Sequence, residues 1–188
     1  MKILITGGYG FIGAHCAEAL AAAGHDVIKG GRGEGGRGKS ISGRHMAMDF
    51  MQDLDVQLWR RRLRGIDVVI NAVGAMGPAR NLEALHFAAP RALFDACRAM
   101  NIEVINISAL GADAEASSRF HLTKKAADDY LLATHPRAVV LQPSLVYGPG
   151  GASARMFDTL VSLPVIPLIG DGGQWIQPVH NAFCKVAV

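Results

Sequence analysis

Lys2-Ile-Leu-Ile-Thr-Gly-Gly-Tyr-Gly-Phe-Ile-Gly13 opens the chain, and its reading decides the fold. Ile3 to Ile5 form a short apolar run with no polar alternation, the pattern of a strand buried on both faces. Glycines then break the run, and the stretch from there to about Ala23 reads as a helix. Gly7, Gly10 and Gly13 stand three apart, and each has a physical task in a dinucleotide-binding turn. One permits the reversal, one lets backbone N–H groups approach a pyrophosphate, and one lets helix and strand pack closely. Phe11 and Ile12 open the helix, whose N-terminus offers N–H groups and a positive dipole end to phosphate.

Outward from this turn, strand and helix patterns alternate. Strands are expected at 25–29, 44–48, 66–73, 103–107 and 138–141, and helices at 53–63, 79–100 and 117–133. Pro90 is expected to kink or divide the third of the four helices. Such alternation argues an α/β, Rossmann-like, doubly wound parallel sheet. From Gly148 the alternation stops while glycine and proline rise. Residues 1–150 therefore read as a nucleotide-binding domain and 151–188 as a truncated C-terminal lobe.

Ligands of doubly wound sheets lie at the carboxyl ends of the strands. The residues there are mostly small or polar: Thr6 to Gly13, Gly31-Arg32, Asp49-Phe50, Asn71-Ala72-Val73-Gly74, Ser108 to Leu110 and Gln142-Pro143. A preference for NAD calls for an acid at the end of the second strand, to bind the ribose 2′-hydroxyl. This chain has Lys29-Gly30-Gly31-Arg32 there, and Asp26 comes too early to reach. The Arg32 guanidinium suits a 2′-phosphate, with Arg37 and Lys39 adding to the field, so NADP is favoured. Read as an ordinary basic loop, the same segment fixes neither cofactor, and NAD stays open. Asp49 is placed to accept from the adenine amino group, with Phe50 beside the ring.

Composition narrows the function classes. The 188 residues suffice for one substantial core, half of them are hydrophobic, and the formal charge is only +3. Arg60-Arg61-Arg62 with Arg64 reads as a solvated helix face, since no aromatic interleaving or nucleic-acid motif accompanies it. Cys16, Cys97 and Cys184 are odd in number and widely spaced, which fits reduced thiols in a cytoplasmic protein and no metal site. The apolar N-terminus is interrupted by the glycine turn, so secretion is not expected, and no run is long enough to span a membrane.

Several of these segments together resemble a known superfamily. They are Thr6-Gly-Gly-Tyr-Gly-Phe-Ile-Gly13, Asn71-Ala-Val-Gly74, Ile107-Ser-Ala-Leu-Gly-Ala-Asp113, Lys124, Pro143-Ser-Leu-Val-Tyr-Gly-Pro149 and Gln177-Pro-Val-His180. Over nearly its whole length the chain is similar to the extended or atypical short-chain dehydrogenases/reductases of NAD-dependent epimerase/dehydratase type. Within them it is most similar to the branch around the NADPH-holding accessory subunit of respiratory complex I. The resemblance implies an NAD(P)-binding oxidoreductase or epimerase acting on a small carbonyl or sugar-type substrate. It implies, as a rival, a non-catalytic NADP(H)-binding structural or redox-sensing module. It also implies pairing of two copies through the helices at 80–100 and 117–133.

Family chemistry uses Ser, Tyr and Lys, the last two as Tyr-x-x-x-Lys on one helix face. Carried over, Ser108 matches the Ser and Lys124 the Lys, which also binds the cofactor. Phe120 stands where the Tyr is expected, so the phenol that moves the proton is missing. His121 is adjacent in sequence but about a hundred degrees around the helix. Tyr147, in the loop after the sixth strand, is a candidate from another side, and Tyr130 is too far along the helix. Gln142 stands where relatives commonly carry Arg.

Overall fold

Strand β1 (Lys2–Thr6) is central because its apolar residues are buried on both sides, and parallel strands pair with both of its edges. With β2 (Asp26–Gly31), β3 (Arg44–Ala47), β4 (Val68–Asn71), β5 (Glu103–Ile107) and β6 (Val139–Leu141) it forms a six-stranded parallel sheet in the order β3-β2-β1-β4-β5-β6. These positions come from a computed structural model that describes residues 1–32, 44–75, 81–165, 171–173 and 175–182. The strand order reverses beside β1, between β1 and β4, which is where a doubly wound sheet opens a ligand crevice. Register brings Thr6 level with Gly30 on one side and Asn71 on the other, and Asn71 level with Asn106.

Because strand residues alternate between faces, the core divides in two. Ile3, Ile5, Val27, Val68 and Ile70 pack with Cys16, Ala17 and Leu20 of α1 (Phe11–Ala22). Leu4, Ile28, Val69 and Val104 face α2 (Val56–Arg62), α3 (Ala89–Ala99) and α4 (Arg119–Thr134), through residues such as Trp59, Leu93 and Leu131. Helices on both faces make the sheet doubly wound, the fold expected from the alternation of patterns. Cys16 and Cys97 are buried thiols, whereas Arg37, Lys39 and Cys184 lie outside the described residues.

Local departures from the sequence expectation have physical causes. Helix α2 begins at Val56 and not at 53, because Asp55 caps it by accepting from the Gln57 N–H at 2.8 Å. Asp53 is left to tie the preceding turn, accepting from the Asp49 N–H and pairing with Arg62 at 2.6 Å. Arg62 therefore does not belong to a solvated face: it is partly buried and lies over the Trp59 ring. Arg60, Arg61 and Arg64 remain exposed. The expected helix at 79–100 is a π turn at Ala84–Ala88 running into α3. Pro90 has no N–H for the carbonyl four residues back, that of His86, and the ladder widens so that the Ala89 N–H reaches the Ala84 carbonyl.

After β6 the chain leaves the main sheet. β7 (Val146–Tyr147) pairs in parallel with β8 (Val179–His180), and α5 (Ala152–Val161) lies between them in sequence. Asn181 ties this segment to α1: its Nδ2 donates to His15 Nε2 at 2.6 Å while His15 Nδ1 donates to the Phe11 carbonyl. Among the described residues, no helix is long and apolar enough to cross a membrane.

Candidate functional site

The carboxyl ends of β1 to β4 open onto a cleft of about 630 Å³. Gly7, Tyr9 and Gly10 form its floor from the glycine turn; Gly30, Gly31 and Arg32 line it from the end of β2. Met48 to Met51 supply the side wall after β3, and Ala72 to Ala75 the opposite wall after β4. Gly7 has φ +71°, and a Cβ there would lie 2.8 Å from the Ala72 carbonyl oxygen, so the turn needs glycine on two counts. A Cβ at Gly13 would lie 2.3 Å from the Gly7 carbonyl oxygen, which makes Gly13 the contact that seats α1 on the turn. Gly10 has no side chain to cap α1, and the start of the helix faces the turn unscreened by one.

The sequence-derived residues divide by where their side chains go. Arg32, Asp49, Phe50, Ala72, Val73 and Gly74 line the cleft. Phe50 is also core, packed edge-to-face on Trp59. Asp49 accepts from the Met51 N–H at 3.0 Å, which shapes the wall. Phe11 packs edge-to-face on His15 and Ile12 against the α1 face of the core, so neither side chain lines the cleft. Pro143 accepts from the Leu110 N–H through its carbonyl and likewise does not line it. Asn71 is turned inward.

That inward turn begins a buried polar chain across three strands and a helix. Thr6 Oγ1 donates to Asn71 Oδ1 at 2.7 Å, Asn71 Nδ2 to Asn106 Oδ1 at 2.8 Å, and Asn106 Nδ2 to Asp128 Oδ1 at 2.7 Å. Ser108 Oγ donates to the other oxygen of Asp128 at 2.5 Å, and Gln142 Nε2 donates to that oxygen at 3.3 Å. A buried carboxylate held by several donors is satisfied, and the short bond commits the Ser108 proton to it. Lys124, one helical turn before Asp128, donates to the Val73 and Ile107 carbonyls, each at 3.0 Å. Burial lowers its pKa to about 8, the first cause, while the nearby Asp128 carboxylate opposes the fall. The ammonium thus joins the ends of β4 and β5 from within.

Phe120 packs edge-to-face on His86, ring centroids 5.3 Å apart. Of the groups weighed as a substitute proton donor, only the His121 ring touches this place, edge-to-face on Phe120 with centroids 5.1 Å apart. His121 Nδ1 pairs with Ser118 Oγ at the cap of α4, Tyr130 donates to Asp95, and Tyr147 is exposed against His180. Ala75, Leu85, His86, Thr123 and Asp128 belong to the site and were not singled out from sequence. Only His86 left a trace there, in the proline four residues after it.

With this geometry in view, the class of protein follows. The model of the NAD dependent epimerase/dehydratase family matches residues 3–180, and the chain belongs to that family. Two curated relatives align over almost all of it. Ceramide reductase of Caulobacter vibrioides is 28% identical over 99% of this chain and 62% of its own length. The mitochondrial NADH dehydrogenase [ubiquinone] 1 alpha subcomplex subunit 9 of Arabidopsis thaliana is 27% identical over 98% of this chain and 48% of its own. The chain therefore spans about half to three-fifths of these relatives. Among solved structures, UDP-glucose 4-epimerase of Thermotoga maritima, with UDP-glucose, superposes with TM-score 0.80 at 20% identity, covering 100% of this chain and 72% of that one. UDP-glucuronic acid 4-epimerase of Bacillus cereus, in complex with NAD, gives 0.76 at 21%, covering 98% and 70%. At such identities the structures establish the fold.

Proposed function

We propose that this chain binds a nicotinamide dinucleotide, NADP(H) in preference to NAD(H), and holds it without the family's Ser-Tyr-Lys proton transfer. The cleft over the glycine turn carries the reading: Gly7 and Gly13 let the turn pack backbone on backbone against Ala72 and α1, and the turn so held borders the cleft where a dinucleotide's pyrophosphate would lie. Arg32 supports the 2′-phosphate, because it lines the cleft at the end of β2 while Asp26 is at the far end of that strand, paired with Arg44. Asp49 and Phe50 would take the adenine, and Ala72 to Gly74 would pass under the adenosine ribose and the nicotinamide side. Lys124 lies just beneath Gly74, where a Cβ would come within 3.4 Å of its Nζ. When bound, the nicotinamide supplies hydride chemistry.

What supports holding over turnover is the fate of the protons. Ser108 gives its proton to Asp128, Lys124 spends two N–H bonds on carbonyls, and Phe120 has none to give. A second reading, an oxidoreductase or epimerase on a small carbonyl or sugar-type substrate, is favoured by the likeness to a protein named ceramide reductase along 99% of this chain.

Titration with NADPH and NADH, followed by nicotinamide fluorescence, tests the proposal. Arg32→Ala should weaken NADPH roughly tenfold and leave NADH unchanged, the loss of one charge-assisted contact. Absence of binding by either cofactor would sink the reading. Turnover of a carbonyl substrate by the wild type would favour the second one.

A further inference from the structure

The wall at 72–75 is held from behind by two side chains, and only one of them belongs to the family triad. Lys124 takes the Val73 carbonyl; His86 takes the Ala75 N–H, at 3.1 Å from its Nε2. Between them Gly74 leaves the wall one backbone thick, since a Cβ there would lie 3.4 Å from Lys124 Nζ and 4.0 Å from His86 Nε2. We infer that His86 is a positioning residue for the nicotinamide half of the dinucleotide, acting through Ala75. The inference rests on the dinucleotide reading above.

The ring's protonation follows from its partners. A backbone N–H can only donate, so Nε2 is the bare acceptor and Nδ1 carries the hydrogen. Nδ1 lies 2.9 Å from Thr123 Oγ1, whose single hydrogen is shared between the Arg119 and Phe120 carbonyls of α4. Thr123 therefore fixes the tautomer that the wall requires. Burial, and then the Lys124 charge, lower the pKa of His86 to about 4, which keeps the ring neutral. Its place in the chain is set by the π turn that Pro90 enforces, and π turns recur at functional sites. Phe120 completes the arrangement as a packing surface for the imidazole, in the position where the family's phenol would stand.

Ala75 is the nicotinamide end of the wall by exclusion along the cleft. Arg32 and Asp49 occupy the β2–β3 side, and 72–75 follow β4 on the other side of β1. A ligand lacking nicotinamide, 2′,5′-ADP, would use the first side and stop short of Ala75.

Calorimetric titration of NADPH and 2′,5′-ADP into wild type, His86→Leu and His86→Gln tests this. Leu leaves the Ala75 N–H without its acceptor, and NADPH should bind roughly tenfold more weakly while 2′,5′-ADP is unaffected. Gln can accept from Ala75 and should retain most of the affinity. Equal weakening of both ligands by His86→Leu, or of neither, overturns the inference while the cofactor reading stands. Wild type binding neither ligand overturns both. Should the Leu variant not fold, ¹⁵N NMR of the wild-type ring decides: Nδ1 protonated, with an Nε2 shift that NADPH moves and 2′,5′-ADP does not. A ring protonated at Nε2, or one that responds alike to both ligands, counts against it.

Discussion

The two halves of the sheet treat their polar groups in opposite ways. On the β1–β3 side, the glycine turn and Arg32 border an open cleft, and the turn presents mainly backbone. On the β4–β6 side, Asn71, Asn106, Asp128 and Ser108 bond to one another, joined by Thr6 from the end of β1, and Lys124 and His86 bond to the wall. In the proposed reading one half takes a ligand's phosphates, while the other has its proton-bearing groups bonded to one another as internal struts. Under that proposal recognition and chemistry are separable in this fold, and one missing hydroxyl with a set of inward hydrogen bonds is what separates them.

The comparison is broken most severely from the binding side. Gly13→Ala places a methyl against the Gly7 carbonyl, with 2.3 Å to spare where ordinary contact needs well over 3 Å. Overpacking of this kind should cost about 3 kcal/mol and abolish cofactor binding, seen in a lowered denaturation midpoint and a flat titration. A variant that folds and binds as before would show that α1 does not need to rest on the turn.

The opposite half should show itself through pH. His86 has a folded pKa of about 4, lowered from the ordinary 6.5, so between these values the unfolded chain binds the extra proton. Stability from this residue is complete above about pH 6.5 and is lost as pH falls toward 4, by roughly 3 kcal/mol in all. Chemical denaturation across that range should show a shallower loss in His86→Gln. Identical slopes would mean that the ring is not held neutral by the fold.

Asp128→Asn tests the strut network more gently. An amide cannot accept from both Asn106 and Ser108, so one buried donor loses its acceptor, at a cost of about 2 kcal/mol. The same change removes the anion beside Lys124, whose pKa should move further below its present value of about 8. An unchanged denaturation midpoint would show that Ser108 has other ways to place its proton.

The smallest effect should come from restoring the hydroxyl. Phe120→Tyr should alter stability by less than about 1 kcal/mol, because the ring is only half-buried against His86. NADPH oxidation with carbonyl substrates should remain at background, since Ser108 still faces Asp128. Turnover gained by this one substitution would show that the missing phenol alone separates the two halves.

Much of the binding half was legible in the sequence, and little of the rest. Glycine spacing is a backbone requirement that residues declare by themselves, and Arg32, Asp49 and Ala72 to Gly74 could be placed by counting from strand ends. Phe120 was legible as an absence, because Lys124 four residues on fixes the helix face. Arg62 was misread as solvated, since its partner Asp53 lies nine positions away across a turn. Thr123 and Asp128 were invisible for the same reason on a larger scale, and His86 showed only through Pro90 four residues on. His86 meets Ala75 and Thr123 from positions 11 and 37 apart in the chain, and Asp128 meets Ser108 from 20.

The sequence alone thus determined the doubly wound sheet and the glycine turn, because strand periodicity and glycine are local properties of the chain. Only the tertiary structure decided which way the polar groups face. Whether a buried serine or histidine offers its proton to a ligand or to a neighbour depends on what the fold packs against it, and that partner is chosen by register and helix placement, not by adjacent residues.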